Sequence, residues 1–174
     1  WTWITGFFLL CVVYYAGAEL YLIDPAVRPL SKPAAIGIGL ATLVVPLAVY
    51  EALCRSPLGR RDGVLALVIF LLLGLLAWGL CQVFGGRGAF IHYGAVLATI
   101  MAANVAHVII PGQRRMVAAA AAGRAADPRD GAAGKQRSVH NTYFTLPVIF
   151  TMISSHYAFT WSTRWSWAAL VAVT

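Results

Sequence analysis

Charge is scarce in this sequence. Only 11% of its 174 residues are charged, and six Asp and Glu stand against thirteen Lys and Arg. A soluble domain of this length usually carries about a quarter charged residues and is about half apolar; here 60% are hydrophobic. Ten-residue segments of alternating polarity are absent, which excludes a membrane barrel. The cysteines Cys11, Cys54 and Cys81 form neither CxxC nor CxxCH and fall at different membrane depths, so neither metal chelation nor a disulfide is suggested. A Walker loop, a GxSxG elbow, HExxH and a glycine-rich dinucleotide fingerprint are missing too. No initiator Met is present, and the chain opens and closes inside apolar runs at Trp1 and Thr174. That pattern leads us to expect a piece of a longer protein.

What is there comes in apolar blocks of bilayer-crossing length. The expected fold is all-α, a polytopic transmembrane helix bundle treated as one domain over 1–174. Five full spans are expected at 3–23, 34–53, 64–84, 90–110 and 142–160, with a sixth cut short near Trp165. The loops 55–63 and 112–141 hold nine basic residues, and the opposite side holds four: Arg28, Lys32, Arg87 and Arg164. The positive-inside rule makes the first pair cytoplasmic. The same rule explains the net charge of +7 as a topology signal, without a nucleic-acid partner. Within 112–141, the stretch QRRMVAAAAAGRAA is expected to prolong the fourth helix and DPRDG to form a turn. Trp3, Trp161, Trp165 and Trp167 suit an interfacial belt.

Ionisable groups inside spans call for a functional hypothesis. On this topology the four histidines fall on two levels, His92 with His156 outside and His107 with His140 inside. His92, Ala95, Thr99, Ala103 and His107 follow one helical stripe, and fifteen residues set the two rings roughly 22 Å apart. Facing histidines at two levels suit axial ligation of haem b, as in a membrane cytochrome. The competing expectation is hydrogen-bonded structural histidine. His140 and His156 are sixteen residues apart and point to nearly opposite faces of a regular helix. Beyond haem iron, no metal site is expected. Glu51 is placed to pair with Arg55 one turn on. Glu19 lies with Asp24 near the outer surface, and Asn104, Ser154 and Ser155 are available to bridge helices.

Five stretches carry a resemblance: AELYLIDP at 18–25, LCRSPLGRRD at 53–62, GRGAFIHYGA at 86–95, TIMAANVAHVIIPGQRR at 99–115 and GKQRSVHNTYFTLPVIFTMISSHY at 134–157. In this order and spacing the chain resembles the membrane domain of bacterial membrane-bound urate hydroxylases, the urate oxidase N-terminal domain. Thr142, Ser155 and His107 depart from the family's usual residues. The resemblance implies an inner-membrane domain followed by a cytochrome c domain with haem c. It also implies oxidation of urate to 5-hydroxyisourate, with electrons passed to that cytochrome. His92, His140, Asn141 and His156 match family positions, and His140 and Asn141 are the catalytic candidates. Donors for a planar urate anion are Asn141, His140, Gln136 and Arg137 on one side, or His92, Arg87 and His156 on the other. Two other readings stay open. One is a non-catalytic accessory subunit of a larger respiratory or photosynthetic membrane complex; the other is a b-type haem electron carrier.

Overall fold

The computed structural model describes residues 1–174, all of them in helices, turns and loops without a strand. Helix α1 (Thr2–Leu10) runs into a π-helical turn (Cys11–Tyr15), and a short α2 (Ala18–Tyr21) follows. Then come α3 (Lys32–Arg55), a 3-10 turn (Pro57–Arg60) and α4 (Asp62–Val83). Helix α5 (Gly86–Ala103) passes through a π segment (Asn104–Ile109) into α6 (Ile110–Ala121). The long α7 (Pro128–Ser154), α8 (Ala158–Trp161) and α9 (Ser166–Val173) complete the chain.

The centre of the bundle is α5. Phe90, His92, Tyr93, Val96 and Leu97 are all essentially inaccessible, because α3, α4 and α7 pack around them and α1 covers one stretch. Small residues make this approach possible: glycine and alanine leave the α5 backbone open to its neighbours. The outward faces of the other helices are apolar as well. Val44 on α3 is 65% exposed and Leu75 on α4 62% exposed, which water disfavours and hydrocarbon accommodates.

Three helices are long and apolar enough to cross a membrane: Lys32–Arg55, Asp62–Val83 and the continuous Gly86–Ala121. They correspond to the second, third and fourth expected spans, and the expectation of five full spans is corrected. The first apolar helix, Thr2–Tyr15, covers about 21 Å of a roughly 30 Å hydrocarbon core before the chain leaves helical geometry at Gly17. The fifth run fails differently. Its helix α7 begins back at Pro128 and stops at Ser154, so half of it is polar and its apolar half is short.

Two loop expectations divide. The fourth span does continue through QRRMV as α6. DPRDG, in contrast, is a helix start and not a turn. Asp127 caps α7 by accepting from the Arg129 amide at 2.9 Å, and Pro128 takes the first position, where its missing N–H is harmless. Asp-Pro is a signal shared by turns and helix starts, and here the helix wins. Gly123, at φ 65°, reverses the chain, and Arg115 grips Asp130 with two bonds of 3.0 and 2.6 Å.

Candidate functional site

At the end of the bundle carrying the basic loops, three helices place polar groups against one another in an otherwise apolar interior. Helix α3 supplies Tyr50 and Glu51, the π segment supplies Asn104, and α7 supplies Arg137, His140 and Asn141. Asn104 is 2% exposed and Arg137 4%, so each must find partners inside the protein. They do. Arg137 donates to Asn104 Oδ1 at 3.2 Å and to Glu51 Oε2 at 2.8 Å. Asn104 Nδ2 donates to Asn141 Oδ1 at 2.8 Å and to the Tyr50 oxygen at 2.9 Å. The amide can only donate there, so the Tyr50 hydroxyl proton points to His140 Nδ1 at 2.7 Å. Asn141 Nδ2 closes the network on the Met101 carbonyl at 3.2 Å.

The local backbone explains the convergence. In Asn104–Ile109 the bonds run from residue i to i+5, which adds a residue to the turn and rotates the side chains beyond it. Asn104 is left inside while His107 is exposed. Electrostatics set the character of the cluster. Glu51 is shared between Arg137 and Arg55, the latter at 2.6 Å, so two guanidiniums meet one carboxylate and one positive charge is left over. The Arg137 guanidinium also lies 4.9 Å from the centre of the Tyr50 ring, a cation–π arrangement. Because Nδ1 accepts from Tyr50, the His140 ring is a neutral imidazole, and burial, and then the Arg137 charge, lower its pKa. Its Nε2 makes no bond within the chain. The arrangement can retain an anion beside Arg137 and move a proton along the Tyr50–His140 bond.

Of the expected site residues, the structure brings together His140, Asn141 and Arg137. Gln136 faces elsewhere, donating to the Gly59 carbonyl at 2.7 Å and to Asp62 at 3.0 Å. Tyr50 was not singled out from the sequence, although the alternating helix directions put it level with Asn104. Glu51 forms its expected pair with Arg55 and also takes Arg137, an unforeseen second role. Asn104 bridges three helices. The hydroxyls of Ser154 and Ser155 bond only to carbonyls of their own helix, at 2.7 and 3.2 Å.

The four histidines are held in different ways. His92 is fully buried, facing α1 and α3: its Nδ1 donates to the Gly88 carbonyl at 2.9 Å, and its Nε2 accepts from the Tyr15 hydroxyl at 3.2 Å. A Cβ on Gly39 would lie 2.8 Å from that Nε2, so the ring is enclosed and both nitrogens are engaged. His156 lies past the end of α7 and is exposed. His107 is exposed on the π segment while His140 bonds to Tyr50. This donor set does not fit axial ligation of a haem at either level. Arg87, the other outer candidate, lies 5.6 Å from the Tyr21 ring and donates to the Ser155 carbonyl at 3.4 Å.

Comparison with known proteins matches the family described as urate oxidase N-terminal over residues 1–174. The chain belongs to that family. No curated protein and no solved structure matches it.

Proposed function

We propose that this member of the urate oxidase N-terminal family is the membrane part of a urate-oxidising redox enzyme, with the Arg137–Asn104–Tyr50–His140–Asn141 cluster as its polar site. The half-reaction takes urate and water to 5-hydroxyisourate, releasing two protons and two electrons. Those electrons would pass to the c-type cytochrome that the resemblance implies. One observation carries the reading: a buried guanidinium, in a cluster where two arginines share one carboxylate, beside a neutral imidazole whose Nε2 is free. Urate is a planar anion. Arg137 offers it charge, Asn141 and the His140 Nε2–H offer donors, and the Tyr50–His140 bond offers a route for a proton. The matched family supports the substrate class. The excess of basic loop residues supports an inner-membrane location, with this cluster at the cytoplasmic end.

The test is anaerobic mixing of the full-length protein with urate while following c-type haem absorbance. Reduction is expected; no absorbance change overturns the reading. Arg137→Gln removes a charge-assisted contact worth about 1.5–3 kcal/mol, so urate-dependent reduction should slow roughly 10- to 100-fold. Arg137→Lys should restore part of the rate.

A second reading, a non-catalytic accessory subunit, draws on a specific observation. The amides of Asn104 and Asn141 are bonded within the network, as in a latch holding α3, α5 and α7 together. Asn104→Leu separates the two. As a latch alone, the residue would affect only thermal stability; as part of a site, its loss should also raise KM for urate in protein that remains folded.

A further inference from the structure

Helices α3 and α4 lean on α5 far more than on one another. Between them lies a groove of about 430 Å³, walled by residues such as Val45, Val49, Leu72 and Leu76 and floored by Ile100 and Phe144. Its lining is almost wholly apolar. Along α3 it extends from Ile38 to Leu53, about 22 Å at the helical rise, compared with roughly 15 Å for the hydrocarbon of one leaflet. Gly79 is part of the lining, and a Cβ there would meet nothing within 4 Å. The groove is thus shaped for a single extended chain.

One end is basic. Tyr50 and Leu53 line that end, and the Pro57–Arg60 turn joins α3 to α4 beyond them. Arg60 and Arg61 are exposed there. Glu51 is paired with Arg55 and Arg137, while Asp62 accepts only from the neutral amide of Gln136 and keeps its charge. Arg60 and Arg61 form no ion pair, so even with Asp62 beside them the connection at this end of the apolar channel, between two helices of membrane-crossing character, keeps a net positive charge. We propose that this groove binds one anionic phospholipid, with an acyl chain lying between α3 and α4 and the phosphate against Arg60 and Arg61. Charge complementarity selects this occupant: a zwitterionic headgroup brings its own cation, and an apolar helix would leave the guanidiniums unanswered. The inference stands apart from the urate reading and survives or fails without it.

The test is native mass spectrometry of the full-length protein in detergent, given equal amounts of phosphatidylglycerol and phosphatidylcholine. One phosphatidylglycerol should be retained per chain, preferred roughly ten-fold. The double variant Arg60→Gln/Arg61→Gln should bring the preference close to one while still retaining a lipid. Gly79→Leu fills the groove and should reduce retention of both lipids, with an unchanged melting temperature as the control for folding. The proposal is overturned by equal retention of the two lipids in the wild type, or by undiminished retention in Gly79→Leu. Occupancy by a prenylated molecule or a second copy of the chain in place of phospholipid also overturns it.

Discussion

His140 and His92 show how one residue type serves two ends of the same bundle. His92 spends both nitrogens inside the chain, on Gly88 and Tyr15. His140 spends one on Tyr50 and sits beside a cation, so protonating it is opposed first by burial and then by Arg137. The sign of the pH dependence follows. With the folded pKa lowered, the unfolded chain takes up the proton first as pH falls through about 6.5. The stability due to neutral His140 is complete above that pH and is lost below it, towards the lowered folded value. Thermal unfolding in detergent between pH 8 and pH 5 should show this fall, and His140→Gln should make it shallower. An identical pH profile in the variant would show that His140 does not titrate against folding. Among these residues, the sequence made His140, Asn141 and Arg137 legible as polar groups next to an apolar run. Tyr50 was not legible, because a tyrosine in a span reads as ordinary packing until its hydroxyl is seen between Asn104 and His140.

At the level of elements, contact between α3 and α5 depends on the absence of a side chain. A Cβ on Gly39 would lie 2.8 Å from His92 Nε2 and 3.0 Å from the Tyr15 ring, and both rings are buried. Gly39→Ala should therefore destabilise the protein by about 1–3 kcal/mol. Gly37→Ala on the same helix provides the control, since nothing lies within 4 Å of a Cβ there and helix propensity makes that change neutral to slightly favourable. Thermal unfolding of the two variants checks the pair; equal melting temperatures would remove the close-approach argument. Helix existence was legible from apolar runs, and so was the extension of the fourth span into α6. The π segment was not. Its i to i+5 bonding separates the faces of Asn104 and His107, and nothing in NVAHVI announces it.

For the molecule as a whole, orientation rests on the distribution of Arg and Lys. With Cys11, Cys54 and Cys81 replaced by Ala, single cysteines at Val27→Cys and Ala125→Cys report the two sides, both positions being exposed. In spheroplasts a membrane-impermeant maleimide should label the first directly and the second only after permeabilisation; the reverse pattern would invert the topology. The sequence by itself determined an all-helical chain, the three long apolar helices and the basic bias of two loops. Composition, run length and charge are properties of a segment, and they act through the solvent around it. Only the tertiary structure decided which polar residues meet. It shortened the first and fifth runs, engaged both nitrogens of His92 within the chain and gathered six side chains from three helices, Asn104 among them, into one cluster. Those outcomes depend on helix rotation, on close backbone approach and on the need of each buried donor for an acceptor. Such needs are met between segments, where periodicity in one segment carries no information.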